Sequence, residues 1–143
     1  MSKYSRDKGK RGEANARALI FQLTGVYLKR NSNQSDSGGY DLVVDEKASK
    51  TEGLEHRAAV LGRFAIEVKN TAQGFAPVYW RQTVEQASAY SREPLLLYNI
   101  PLKGFRAVIH VSSLPVPSRE WEEGDIVHLE LPTLFKLLGI HHS

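Results

Sequence analysis

The sequence predicts an α/β domain in which a mixed β-sheet is flanked by helices. Two long stretches, residues 12–23 and 77–91, carry apolar residues at helical spacing, and a short one covers 132–138. Between them lie six apolar, strand-like runs, which gives the order α-β-β-β-α-β-β-β-α. A chain of 143 residues with 41% hydrophobic and 24% charged residues fits one core, so residues 1–143 are read as a single domain.

The first helix is placed over residues 12–23, where Ala16, Leu19, Ile20 and Leu23 follow an i, i+3, i+4, i+7 pattern and Thr24-Gly25 supplies the stop. Residues 1–11 before it form a basic arm. Val26 to Lys29 has strand-forming residues, and 30–39 is a polar loop ending in two glycines. Tyr40 to Asp45 then alternates, with Tyr40, Leu42 and Val44 on one face and Asp41, Val43 and Asp45 on the other. Residues 46–57 are charged and aperiodic, the composition of an inserted loop or hairpin. Ala58 to Lys69 is strand-like, and near its end Ile66 and Val68 face one way while Ala65, Glu67 and Lys69 face the other. Residues 77–91 make a helix with proline in the first turn and Trp80, Val84, Ala87 and Ser91 as its inward stripe. Strands over 94–98, 106–111 and 126–131 and a helix over 132–138 stopped by Gly139 complete the order.

Composition removes several function classes. With no cysteine, thiolate zinc sites, iron–sulfur clusters, cysteine nucleophiles and a disulfide scaffold are excluded. No apolar run reaches the roughly 20 residues that span a bilayer, and Met1 to Arg11 lacks a signal peptide's apolar core. The expectation is a cytoplasmic protein with no membrane partner.

The net charge is +3, and it is local: Lys3, Arg6, Lys8, Lys10, Arg11 and Arg17 stand against only Asp7 and Glu13, so the rest of the chain is slightly acidic. A surplus of this kind is the footprint of phosphate binding, with Lys8, Lys10 and Arg11 as candidates, although a solvated tail has the same composition. Arg30 either grips a phosphate or simply ends a strand. Trp80 and Tyr79 either stack on an unpaired base or belong to the core. His110, inside an apolar strand, reads as a hydrogen-bonded core histidine.

Asp41 on one strand and Glu67-Val68-Lys69 on the next put charge into apolar surroundings. Alternation sends Glu67 and Lys69 to the same face, roughly 7 Å apart. If Asp41 lies on the neighbouring strand, its carboxylate meets that of Glu67, and with the Val68 carbonyl they make a hard oxygen site suited to Mg²⁺. Lys69 beside it would position or help activate an attacking water and offset charge in a phosphoryl transition state. The alternative has Asp41 capping a turn and Glu67 and Lys69 forming a salt bridge on an exposed face.

Gly12-Glu13 in a first helix, Gly39-Tyr40-Asp41, Ile66-Glu67-Val68-Lys69 and Gln86-Ala-Ser-Ala-Tyr90 together resemble the PD-(D/E)XK nuclease superfamily, and the short basic chain resembles its archaeal-type and phage Holliday junction resolvases. The resemblance covers roughly residues 8–112. It implies a restriction-endonuclease-like mixed sheet of about five strands flanked by helices, phosphodiester hydrolysis with Mg²⁺ or Mn²⁺, and a homodimer acting on four-way DNA junctions. It makes Asp41 and Glu67 metal ligands, Lys69 the catalytic lysine and Glu13 an acidic residue that supports or joins the metal. It places a DNA-contacting serine in the polar loop, at Ser32, Ser35 or Ser37. Gln86 and Tyr90 resemble the Gln-x-x-x-Tyr of the superfamily's DNA-end-processing nucleases, where the glutamine would bond a metal-bound water or DNA phosphate and the tyrosine would pack beside the DNA backbone; the alternative is a surface glutamine and a half-buried tyrosine on a helix. Tyr40 stands where the family motif has proline, the 46–57 segment is an insertion, and 112–143 is a variable C-terminal extension without a counterpart.

The resulting expectation is a metal-dependent, structure-selective DNA endonuclease of the resolvase kind, working in a prokaryotic or phage-infected cell. Three rivals stand beside it: a nuclease of the same superfamily acting on DNA ends or single strands or in restriction or repair, a DNA-binding module that has lost catalysis, and an interaction protein with an accidental triad.

Overall fold

A strand whose residues are buried on both sides must have layers above and below it. Residues 64–67 and 94–98 are buried without a break, the pattern of central strands covered on two faces. The computed structural model describes residues 2–31, 39–49, 53–116 and 121–142 and shows this arrangement. Its elements are α1 (Lys3–Thr24), β1 (Leu28–Arg30), β2 (Leu42–Val44), α2 (Glu55–Leu61), β3 (Phe64–Asn70), α3 (Pro77–Ala89), β4 (Glu93–Ile100), β5 (Gly104–His110), a 3₁₀ turn (Val111–Ser113), β6 (Ile126–Glu130) and α4 (Leu131–Leu137).

The strands form one sheet of six, in the order β1-β2-β3-β4-β5-β6. Only β3 and β4 are parallel, and α3 is the crossover between them; the other pairs are antiparallel. One face packs Phe64, Ile66, Leu95, Leu97, Ala107 and Ile109 against Ala16 and Ile20 of α1 and Leu134 and Phe135 of α4. The other carries Ala65 against Ala87 of α3, and Leu96, Tyr98 and Val108 against Tyr79 and Trp80. Among the described residues no helix is long and apolar enough to cross a membrane.

Among the described residues the sheet has the six strands read as runs in the sequence, one more than the resemblance implied. Four local readings of the sequence need correction. Helix α1 starts at Lys3, so the described part of the basic arm is helical; it is rich in Lys and Arg and free of proline, which favours a helix, but it lacks the apolar period that would announce one. Residues 58–61 belong to α2 and not to a strand, with Leu61 buried and Gly62 ending the turn. Tyr40 packs with Ala65 and Ala87, on the opposite face from Leu42, because the chain bends at Asp41 and breaks the alternation. In α3 the buried positions are Thr83 and Ala87, while Ser91 lies beyond the helix and exposed; the Thr83 hydroxyl is satisfied by the Tyr79 carbonyl at 2.7 Å.

The β4–β5 hairpin stores strain. Lys103 N–H bonds the Ile100 carbonyl at 2.9 Å across Pro101-Leu102, and Leu102, fully exposed, has φ of 71°. A left-handed backbone costs an L-residue about 1 kcal/mol, and the third turn position with positive φ favours glycine. Leu102→Gly is therefore expected to raise Tm by about 2–4 °C in calorimetry; a lower Tm would mean that the leucine side chain holds the hairpin.

Candidate active site

Strand register brings the acids together. Leu42 of β2 pairs with Ile66 of β3 in antiparallel register, and the chain just before it stays against β3, so that the Asp41 side chain reaches that of Glu67 and hydrogen-bonds it. Main-chain bonds from Glu93 N–H to Arg63 O and from Thr71 N–H to Asn99 O, both 2.9 Å, show that odd-numbered peptide groups of β3 face β4. The even-numbered ones therefore face β2. Accordingly the Ile66 carbonyl accepts the Asp41 N–H at 2.9 Å and Val68 N–H donates to Asp41 Oδ2 at 2.8 Å. β2 begins at Leu42, so no strand residue of β2 lies beside Val68, whose carbonyl shares that side.

Helix α1 supplies the third acid. Gly12 lets the helix settle on the end of β3: a Cβ there would stand 3.2 Å from Asn70 Nδ2. Glu13 follows, buried, with Oε2 3.2 Å from Arg30 Nε. Asn31 ties the same corner down, its side-chain amide donating to the Tyr40 carbonyl and its N–H to the Asp41 carbonyl, both at 2.9 Å. Lys69 lies half-buried with Nζ 5.6 Å from the centre of the Tyr79 ring, within the range of a cation–π contact.

These groups open into a cavity of about 460 Å³ lined by Glu13, Asp41, Glu67, Val68 and Lys69 and rimmed by Arg6, Lys8, Lys10, Arg30 and Asn70. The size suits a small ligand or a polymer segment. A larger hollow lies elsewhere, between β2 and α2, and holds none of the three acids.

Burial governs the protonation of the site. Glu67 is pushed up to about 8, first by loss of water and then by the negative charge of Asp41. Asp41 is also raised by burial, and the Val68 N–H opposes that rise. A hydrogen bond between the two side chains raises Glu67 and lowers Asp41, so at neutral pH Glu67 keeps the proton and shares it with Asp41. Among the described residues no three His, Cys, Asp or Glu side chains already converge as a closed ligand set.

The cavity thus gathers Glu13, Asp41, Glu67, Val68, Lys69, Lys8, Lys10 and Arg30, all read as candidates from sequence. Arg11 is exposed and outside it. Gln86 is half-buried on α3 and does not line it, and Tyr90 sits edge-on to Tyr40, ring centres 5.4 Å apart, beside Gly39. Ser32, Ser35 and Ser37 lie outside the described residues. Glu67 and Lys69 make no ion pair with each other, and Glu67 is buried, which removes the exposed salt bridge. Trp80 is half-buried against His110, ring centres 5.0 Å apart. His110 differs from expectation, since its buried Nδ1 has no hydrogen-bond partner.

Two rim residues were missed. Arg6 lies one and two turns before Lys10 and Glu13, a helical spacing legible only once α1 is extended to Lys3. Asn70 carries no local signal; its position depends on Asn99, whose amide donates to Asn70 Oδ1 at 2.8 Å.

No family model and no curated protein matches the sequence. Among solved structures, Hjc from Archaeoglobus fulgidus, a Holliday junction resolvase from an archaeal hyperthermophile, superposes with a TM-score of 0.51 at 18% identity, covering 88% of this chain and 97% of that one. At that identity the likeness shows the fold alone: a mixed sheet flanked by helices, as in that structure.

The raised Glu67 has a thermodynamic signature. Between its ordinary value of 4.5 and about 8 the folded protein holds a proton that the unfolded chain releases, so stability is complete at the acid end and is lost as pH rises through 8. At about 1.4 kcal/mol per unit, the effect is at most a few kcal/mol. In chelator, Tm is expected to fall from pH 5 to 9, and Glu67→Gln should flatten the fall and raise Tm at pH 8–9. A wild-type Tm that climbs over this range would contradict the assignment of the proton to Glu67.

Proposed function

We propose that this chain is a divalent-metal-dependent nuclease that hydrolyses phosphodiester bonds of DNA, and that it acts on branched DNA, four-way junctions above all, as a homodimer. The observation that carries the reading is the meeting of the Asp41 and Glu67 side chains beside β3, with the Val68 main chain turned to the same gap and Lys69 on the same face as Glu67.

The residues fit a hard dication, Mg²⁺ or Mn²⁺. Carboxylate and carbonyl oxygens are the donors such ions prefer, and the burial and the neighbouring negative charge that keep Glu67 protonated are what a bound double charge offsets. Asp41, Glu67 and the Val68 carbonyl would hold it, with Glu13 joining once it parts from Arg30. When bound, the ion supplies Lewis acidity and a water acidic enough to attack phosphorus near neutral pH.

The chain does the rest. Asp41, fixed by the Val68 N–H, and Glu67, fixed in a central strand, hold their oxygens without rearrangement. Loading the site displaces the proton of Glu67, so binding is proton-coupled. Lys69 presents a cation toward the phosphoryl group, where it orients the attacking water and counters charge as the P–O bond to the leaving oxygen breaks; that oxygen takes up a proton as the water gives one up. Arg6, Lys8, Lys10 and Arg30 contact backbone phosphates, which positions DNA with little reading of bases.

A second reading is favoured by the Glu13–Arg30 ion pair, which ties one acid to a cation of the chain itself: a DNA-binding module of the same fold without turnover. One assay separates the two. Purified protein is incubated with a synthetic four-way junction, a linear duplex and a single strand, with and without Mg²⁺ or Mn²⁺, and nicks are mapped. Metal-dependent nicking of the junction is expected, with Asp41→Asn and Glu67→Gln about 10³-fold slower and affinity kept within a few-fold. Tight, salt-sensitive binding with no product under any metal would favour the inactive module.

A further inference from the structure

Helix α1 carries a second stripe beside the one that packs on the sheet. At 3.6 residues per turn, Arg6, Lys10, Glu13, Arg17 and Phe21 fall within about 80° of one another, flanking the buried face of Ala16 and Ile20. Strand β1 and the residue before it run alongside this stripe. Arg30 meets Glu13 at 3.2 Å, and Tyr27 stacks on Phe21 with ring centres 4.3 Å apart and planes 30° from parallel. Both rings are exposed, at 41% for Phe21 and 43% for Tyr27. Between the two contacts sits Arg17, whose buried Nε has no hydrogen-bond partner. The stripe thus has cations bordering the cavity at one end, Arg17 with its unpartnered Nε midway and an open aromatic pair at the other end, and a polyanion with flat rings is the ligand that matches all three.

We propose that the face of α1 beside β1 is the track of a single DNA strand, with the Phe21–Tyr27 pair as the platform on which an unpaired base stacks. This rests on the nuclease reading, which puts the cleaved phosphate in the cavity at Glu13. Eight helical rises separate Glu13 from Phe21, about 12 Å, which is three to four base steps for a strand that keeps the stacked spacing of about 3.4 Å. Arg17 meets a phosphate on the way. Stacking on an aromatic ring tolerates any base but requires that the base be free of its partner. Among branched substrates the platform therefore favours one that frees bases three to four nucleotides from the cut, by a flap or by opening pairs at the centre of a junction. An aromatic pair that merely covered the joint between helix and strand would affect stability and leave DNA discrimination alone.

The test is binding in chelator, which needs no turnover, using a duplex with a single-stranded flap, a blunt duplex, and 2-aminopurine placed at successive flap positions. Wild-type protein is expected to change the fluorescence at one position, three to four nucleotides from the junction with the duplex. Tyr27→Leu should lose about tenfold in affinity for the flap substrate and none for the blunt duplex, Tyr27→Trp should keep both, and Arg17→Gln should lower affinity and reduce the salt dependence by about one ion. Thermal melts of each variant separate loss of fold from loss of contact. Unchanged flap affinity in Tyr27→Leu, or an equal loss on blunt duplex with Tm unaltered, overturns the platform. Should wild-type protein show no cleavage with metal yet bind flaps through Tyr27, the nuclease reading falls and the platform stands; cleavage with no Tyr27 effect is the reverse.

Discussion

Two carboxylates buried against each other set the terms for this molecule. Removing Asp41 and Glu67 from water is costly unless each finds a donor, a proton or a cation. The structure answers with all three: the Val68 N–H on Asp41, a proton retained by Glu67, and Lys69 nearby on the same strand face. The arrangement holds because the scaffold leaves no choice of register. A single pair, Leu42 with Ile66, joins the β1–β2 ribbon to β3, and both side chains are buried in the main core. A slip by one residue would turn Asp41 toward that core and Leu42 away from it.

The parallel β3–β4 pair is what makes such a site affordable. Glu67 pairs in register with Leu96 and Lys69 with Tyr98, so the charged residues rise from a surface whose neighbours are apolar and fixed. Rigid backbone on one side and a dry face on the other raise the affinity of a carboxylate for its proton and, by the same electrostatics, for any cation that replaces it. The acids sit where β2 has already ended, so the main chain of Val68 also turns toward them instead of to a neighbouring strand.

Helix α1 serves the core and the site with two different stripes. Ala16 and Ile20 pack on the sheet, while the adjacent stripe brings Glu13 to the acids and a series of cations to the rim. Gly12 permits the close approach over Asn70, and Gly25, with φ of 77°, lets the chain turn back into β1. The helix therefore fixes the position of the charged residues through apolar contacts one face away.

Much of this was legible in the sequence. Period-two alternation put Glu67 and Lys69 on one face and Ile66 on the other, helical spacing found the packing stripe of α1 but only Ala87 of the buried positions of α3, and charge in apolar surroundings marked Asp41 and Glu67, because a buried charge without a purpose would destabilise the fold. What escaped were positions whose placement has no periodic signature. Residues 3–11 are helical without an amphipathic pattern, 58–61 form an apolar turn too short to distinguish helix from strand, and the bend at Asp41 reverses Tyr40. The sequence by itself determined which residues are buried and which acids require an explanation, since transfer from water depends on side-chain chemistry. Only the tertiary structure decided that these acids are partners, that Arg6 and Asn70 border them, and that Phe21 lies against Tyr27, because register and the seating of a helix on a sheet arise from contacts between segments distant along the chain.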